Sequence, residues 1–415
     1  MPLLTSILLL LVCSRLLGEL MSRLGQPVIV GEILAGIILG PAALNYIQPT
    51  APLEGISELS VFLIVLSAGL EMEFGDVVNS FRGRGLVVAA IGFLIPFLSG
   101  LAVGTFFHLD GMRTVFLGLC ISVTALPVAI RILESFKILN TRIGRYAIAT
   151  AILNDVAALL CLGVILDMPG QASTSLISPF SVLLGVMWTA TKLAIFGAMI
   201  LLASRLLRWG SGQTRYIERW VERTMAFFGR EALFGLAVLF VLLFASMSET
   251  LGSHFVIGAF FGALLLSRDV FGTSLFSELE NTLHSITGGF LAPIFFAYLG
   301  LHFSIATVRS PLFVLSVLFA SVASKILAGW LGGVWAKVSS EEALGIGIIL
   351  NGRGIMELVV ANIALQRGFI NQELFSVLVL MGIFTTVITP ILFRRFVMPR
   401  LALKDLATTA VPSPH

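Results

Sequence analysis

The chain has 415 residues, of which 57% are hydrophobic and only 12% charged, with a net charge of +3 and a mean hydropathy of +1.02. These values lie outside the range of soluble globular domains, and so small a positive charge does not suggest nucleic acid as a partner. The composition is that of a polytopic membrane protein, and the 40 glycines fit helices that pack through small residues in lipid.

A hydrocarbon core about 30 Å thick needs roughly 20 helical residues to cross it. That ruler predicts an all-α protein of about 13 transmembrane helices, near 3–21, 27–44, 57–74, 85–107, 112–134, 143–166, 180–206, 231–248, 254–267, 287–304, 311–337, 342–366 and 373–395. The first run carries Arg15 and no basic start, so it is expected to be a retained helix rather than a signal peptide. Cys13, Cys120 and Cys161 lie in apolar runs without paired spacing, which points to packing rather than to a disulfide framework or a metal motif.

Charge placement orients the spans. With the N-terminus outside, the cytoplasmic side gathers Arg23, Arg82, Arg84, Arg131, Lys137, Arg142, Arg145, the run from Arg205 to Arg230, Arg268, Lys337 and the tail from Arg394 to Lys404. The outer side keeps only Arg113, Arg309 and Arg367. The positive-inside rule therefore predicts N-out and C-in, which requires an odd number of spans. Residues 207–230 place Ile217, Trp220 and Val221 on one helical face and are expected to form a cytoplasmic amphipathic linker, a plain connector being favoured over a regulatory site. Residues 397–415 are expected to be a short cytoplasmic tail.

Two stretches repeat. Val28 to Gly40 aligns without gaps on Phe255 to Ser267, and Phe62 to Leu70 aligns on Pro293 to Leu301. Under the thirteen-span count the paired helices run in opposite directions, so inverted-topology repeats are expected, with a substrate site near the midplane where helices are interrupted. The fifth span carries Ser122 to Pro127 and its mate, the twelfth, carries Asn351-Gly352-Arg353-Gly354. Pro127, Gly352 and Gly354 are the expected helix breaks, because proline removes a backbone donor and glycine loosens the helix. Pro127 alone is equally compatible with a simple kink.

Asp155, in the middle of the sixth span, is the expected working residue, since an acidic side chain there is costly and is rarely kept without a task. A midplane carboxylate can hold a dehydrated monovalent cation or a proton, and competition for one site is enough to couple the two fluxes. Its bland alternative is a buried ion pair. Asn154 can orient the adjacent break, supply an oxygen, or simply join two helices. Thr124 offers hard oxygens suited to Na⁺ or K⁺, against a packing role. Lys325 lies too deep to reach water and must pair or lose its proton. Arg353 needs an anion, and Glu357 one turn later is the nearest in sequence, so a structural brace is favoured over direct ion binding for this pair.

At these residues the chain resembles the membrane domain of the monovalent cation:proton antiporter-2 family. The likeness is carried by Gln26 to Pro41, Thr124-Ala-Leu-Pro-Val, Arg131-Ile-Leu, Ile143-Gly-Arg, Asn154-Asp155-Val, and Asn351-Gly-Arg-Gly with Glu357-Leu. It runs from about residue 20 to 395 and is particularly similar to the plant cation/proton exchanger and bacterial sodium or potassium/proton antiporter branches. The resemblance implies a transmembrane antiporter domain over 1–396, a homodimer, and a scaffold (about 1–45 and 180–267) against which a core (about 57–166 and 287–395) moves like an elevator. It also implies Asp155 as the ion- and proton-binding carboxylate, with Lys325 as the basic residue near it. The cargo would be Na⁺ or K⁺ and H⁺, with no cofactor, in a bacterial inner or plasma membrane.

The sequence departs from the electrogenic branch, which carries two adjacent aspartates. Here Asn154 takes the first place, so Lys325 is expected to lack that partner and exchange to be electroneutral. No large nucleotide-binding domain follows Arg400, so gating by a cytosolic ligand is not expected. A monovalent cation channel and a sodium-coupled organic anion carrier are the competing readings. The first is disfavoured by the repeats, and the second lacks a distinct cavity signal. An enzyme is not expected: an intramembrane aspartyl protease would need two apposed aspartates.

Overall fold

A computed structural model describes residues 2–71, 84–139, 141–167, 231–251, 254–266 and 273–400, together with Arg268 and scattered positions between 191 and 229. All regular structure among the described residues is helical: α1 (Leu3–Arg23), α2 (Val28–Leu39), α3 (Ala51–Leu70), α4 (Arg84–Phe106), α5 (Gly111–Ser122), α6 (Leu126–Ser135), α7 (Arg142–Asp167), α8 (Glu231–Thr250), α9 (Phe255–Leu265), α10 (Thr273–Ile286), α11 (Ala292–Leu301), α12 (Pro311–Trp335), α13 (Ser340–Ile349), α14 (Ile355–Gln366) and α15 (Gln372–Phe396). Among them, eight helical segments are long and apolar enough to cross a membrane. Every expected span except the seventh overlaps a helix. The seventh and the amphipathic linker lie outside the described residues apart from scattered positions, so the count of thirteen stays an expectation.

The tenth span begins earlier than hydropathy predicts. A continuous helix starts at Thr273, passes through a π-helical turn at Thr287–Leu291 and ends with α11 at Leu301. Glu278, Glu280, Asn281 and His284 lower the hydropathy of its first half, so an apolarity ruler starts too late.

Contacts divide the chain into two compact units, Met1–Glu54, Val77–Ala158 and Pro293–His415 in the first, and Gly55–Asp76 with Leu159–Ala292 in the second. These boundaries differ from the core and scaffold expected from the family resemblance, a division that concerns movement rather than contact.

In the first unit, a buried cluster of Ala125, Val128, Ile132, Ile348, Leu350 and Phe393 packs around α6, α13 and α15. Its outer surface exposes Leu98 (58%), Leu315 (63%) and Phe319 (76%). Such residues are tolerated together where the solvent is lipid.

Glycines set the closest helix approaches. A methyl group on Gly31 would come within 2.3 Å of the Leu17 carbonyl oxygen, pressing α2 onto the backbone of α1. In the second unit, one on Gly258 would come within 2.2 Å of the Phe244 carbonyl oxygen, pressing α9 onto α8 in the same way. Gly31 and Gly258 are matched positions of the repeated stretch. The other matched pair exchanges partners: Gly300 of α11 packs against Ile33 of α2, and Gly69 of α3 packs against Phe260 and Ala263 of α9.

The repeat extends further than sequence similarity reveals. Gly111 and Ser340 begin α5 and α13, and Leu126 and Ile355 begin α6 and α14, both 229 residues apart. At the same spacing, Asp110 caps α5 and Ser339 caps α13 with a capping box to Glu342. Gly100 meets Gly118 and Gly329 meets Gly347, each pair allowing two backbones to touch where a Cβ would come within 2.4 and 2.3 Å of the facing Cα. No side-chain chemistry marks these pairs except smallness, the residue type that helix packing in lipid selects.

Candidate functional site

Two helices stop inside the first unit. The α5 helix ends at Ser122 and the chain resumes helix at Leu126. Likewise α13 ends at Ile349 and α14 begins at Ile355. The interruptions touch: the Ala125 amide donates to the Gly352 carbonyl at 2.9 Å, and the Thr124 hydroxyl donates to the Leu350 carbonyl at 3.0 Å. Gly352 and Gly354 permit this approach, since a Cβ on Gly354 would lie 2.9 Å from that of Ala125 and one on Gly352 would lie 3.3 Å from Val128.

Pro127 is not itself in the gap. The first break occupies Val123, Thr124 and Ala125, and Pro127 falls in the first turn of α6. A first-turn residue has no intrahelical acceptor for its amide, so proline is accommodated there without kinking the helix. Asn351 caps its own helix, its side-chain amide donating to Gly347 and Ile348 carbonyls at 3.0 and 3.4 Å.

A helix that ends in a membrane interior leaves its last carbonyls without donors and without water. Here other helices supply the donors. The Arg353 guanidinium donates to the carbonyls of Cys120, Ile121 (2.6 Å) and Val123 (2.8 Å). The Ser122 carbonyl accepts from the Lys325 ammonium of α12 and from Asn154 Nδ2 of α7 (3.4 Å). Two cations thus sit at the negative end of the α5 dipole. Glu357, in the first turn of α14, lies at a positive end, 3.6 Å from Arg353. The expected Arg353–Glu357 pair is therefore present, but carbonyls are the nearer partners of the guanidinium. Neither Glu357 carboxylate oxygen has a hydrogen-bond donor among the described residues.

Lys325 also donates to Thr124 Oγ1 at 2.7 Å and to the Gly92 carbonyl at 3.2 Å. An ammonium has three protons, and three neutral oxygens receive them. This answers what Lys325 does where no second aspartate stands beside Asp155. Thr124 is equally committed. Its hydroxyl accepts from Lys325 and from Asn154 Nδ2 (3.4 Å) while donating to Leu350, which fills its capacity.

Asn154 must turn its Nδ2 toward the Ser122 carbonyl, because only the amide nitrogen can donate there. Its Oδ1 is left buried and without a hydrogen-bond donor. Asp155 follows on the same helix, 2% exposed, and acts electrostatically on Lys325, as do Arg353 and Glu357. Asn154, Thr124, Lys325, Asn351, Arg353 and Glu357 are each at most 1% exposed. Sequence reasoning missed the acceptors of this arrangement, the carbonyls of Gly92, Cys120, Ile121, Ser122 and Val123.

Matched glycines, two helices interrupted at corresponding positions and breaks joined by hydrogen bonds define the class: an all-α polytopic membrane protein of the antiporter fold, with inverted-topology repeats and crossing interrupted helices. The chain belongs to the sodium/hydrogen exchanger transmembrane family, whose model matches residues 7–398. It is 31% identical to cation/H(+) antiporter 19 of Arabidopsis thaliana over 92% of this chain and 48% of the plant protein. It is 26% identical to the Na(+)/H(+)-K(+) antiporter GerN of Bacillus cereus over 92% and 93% of the two chains. The chain thus spans about half the length of the plant relatives and nearly all of the bacterial one. Among solved structures, the sodium proton antiporter MjNhaP1 of Methanocaldococcus jannaschii shares the fold, with a TM-score of 0.70 and 18% identity over 94% of this chain and 95% of that one.

Proposed function

We propose that the protein is a secondary antiporter exchanging a monovalent cation, Na⁺ or K⁺, for H⁺, with Asp155 as the carboxylate that the two share. The observation that carries this reading is the pairing of a buried carboxylate with a buried amide oxygen: Asp155 beside Asn154 Oδ1, which has no donor. An oxygen with no donor is a ligand for a cation and costs free energy if nothing meets it. The plant and Bacillus relatives are named as cation/proton and sodium/proton-potassium antiporters, which agrees with this cargo.

The charges support one-for-one exchange. Lys325, Arg353, Glu357 and Asp155 cancel when all are ionised. One proton or one monovalent cation on Asp155 then brings the site to the same net charge, so the loaded states do not differ electrically. In this mechanism Asn154 holds the α5 end through its nitrogen and the cation through its oxygen. Thr124 and Lys325 fix the break, and Arg353 with Glu357 braces the crossing. A cation reaches Thr124 only if Lys325 or Asn154 lets go. The subunit works as a homodimer, with an elevator-like core of about 57–166 and 287–395 carrying the site between the two faces and about 1–45 with 180–267 as scaffold.

Vesicles containing the purified protein and a trapped pH dye provide the test. Addition of Na⁺ or K⁺ should drive proton movement that persists when the membrane potential is clamped. Currents reversing at the cation's Nernst potential, with no proton movement, would overturn this in favour of a channel.

A further inference from the structure

We propose that Pro96 is a positioning residue for the Lys325 ammonium, because it leaves the Gly92 carbonyl open as the amine's third acceptor. The inference rests on reading Asp155 as the shared carboxylate and Lys325 as the cation that fixes the adjoining break, and it goes beyond that reading by assigning a task to a residue on a different helix. In an α-helix the amide of residue i donates to the carbonyl of residue i−4. Pro96 lies inside α4 and is buried, and it has no amide to give. The carbonyl it abandons is that of Gly92, which accepts from Lys325 Nζ at 3.2 Å. The proline ring also crowds that carbonyl and tips it away from the helix axis.

Neither group has water as an alternative partner, since Lys325 is 0% exposed and Gly92 is buried in α4. A lysine ammonium brings three donors and no acceptor, and Gly92, Ser122 and Thr124 supply the three oxygens it uses. Had residue 96 been any other type, its amide would compete for Gly92. Glycine at 92 matters too, because a Cβ there would lie 2.9 Å from Thr150 Cγ2. Pro96 and Lys325 stand at matched positions of the two repeats, at the same spacing as Gly100 and Gly329 in the same helices. One repeat therefore supplies a freed acceptor where the other supplies the donor.

An amine that loses Gly92 leans on the two carboxylates that act on it electrostatically, Glu357 and Asp155, and at Asp155 it competes with the transported cation. The test compares Pro96→Ala, which restores the amide, with the α-hydroxy analogue of alanine placed at 96 by suppressor tRNA, which carries an ester oxygen instead. Both lack the ring, and only one has the N–H. Apparent cation KM and maximal rate are measured with Na⁺ and K⁺ in vesicles, and cation-dependent thermal stabilisation in detergent. Pro96→Ala should raise the apparent KM about three- to tenfold with little change in maximal rate, the size expected when a hydrogen bond to a charged group is weakened rather than lost. The ester variant should behave as the unaltered protein. Identical behaviour of the amide and ester variants, whether both altered or both normal, overturns the proposal. Pro96→Val and its α-hydroxy analogue give the same comparison if alanine packs too poorly to fold. Loss of exchange in Asp155→Asn together with an amide variant of normal KM would sink this inference alone, whereas retained exchange in Asp155→Asn would sink the functional reading beneath it.

Discussion

The Lys325 ammonium donates to the Thr124 hydroxyl at 2.7 Å, and that hydroxyl in turn donates a hydrogen bond to the Leu350 carbonyl at 3.0 Å. A lysine on α12 is thereby tied through one side chain in the first break to the backbone of the second. Replacing Thr124 by Val removes the acceptor of Lys325 and the donor of Leu350 while keeping the shape. We expect a loss of about 1–3 kcal/mol of stability, the cost of leaving a buried polar group unmet, and a weaker apparent affinity for the cation. Thr124→Ser keeps the hydroxyl and should retain most of both. Thermal unfolding in detergent and cation-dependent proton flux measure the two effects.

Arg353 carries a heavier load, since its guanidinium meets three carbonyls at the end of α5 and lies beside Glu357. Arg353→Met should destabilise the protein by about 3–5 kcal/mol, because it leaves a carboxylate and several carbonyls buried without their cation. Arg353→Lys should recover only part of this, as a single ammonium cannot reproduce the planar fork. In the Arg353→Met/Glu357→Gln double variant the second change should cost less than it does alone, which a double-mutant cycle in thermal unfolding reads out.

The glycine pairs of the two repeats predict matched sensitivities. Gly100→Ala and Gly329→Ala each force a methyl group into a facing Cα, at 2.4 and 2.3 Å respectively, and should each cost about 1–3 kcal/mol. Gly235→Ala in α8 meets nothing within 4 Å and should instead stabilise by about 0.5–1 kcal/mol. Melting temperatures of the three variants provide the comparison.

One-for-one exchange predicts that an imposed membrane potential leaves the initial rate of cation-driven proton flux unchanged. Marked voltage dependence in the unaltered protein would contradict it. Asn154→Asp adds a second carboxylate facing the Ser122 carbonyl, where Nδ2 now donates at 3.4 Å. That variant should become voltage-sensitive, with Lys325 drawn from its neutral oxygens to the new charge.

The charged and amide side chains of this site were legible because each breaks an apolar run. Asp155, Lys325, Arg353 and Glu357 could not be hidden in a hydropathy pattern, and Asn351-Gly-Arg-Gly announced an interruption. What they bond to was not legible. The acceptors of Arg353 and Lys325 are carbonyls of Gly92, Cys120, Ile121, Ser122 and Val123, groups that every residue carries and that no sequence motif distinguishes. Pro127 drew attention to the right place but one step too late, because proline fits the first turn of a helix as well as a gap. The longer repeat escaped notice because Gly100 with Gly118 and Gly329 with Gly347 share only smallness, which pervades a chain with 40 glycines. The start of the α10 helix was missed because its four polar residues mask a helix that amphipathic burial sustains.

The central claim is that Asp155 is the carboxylate shared by proton and cation. Cation-dependent proton flux in vesicles, measured with Na⁺, K⁺ and Li⁺ for the unaltered protein and for Asp155→Asn, tests it most directly. Asparagine keeps the size of the side chain but holds neither a proton nor a charge in the working range, so the variant should fold with an unchanged elution profile and show no flux with any of the three ions. Flux retained in a folded Asp155→Asn protein would contradict the account.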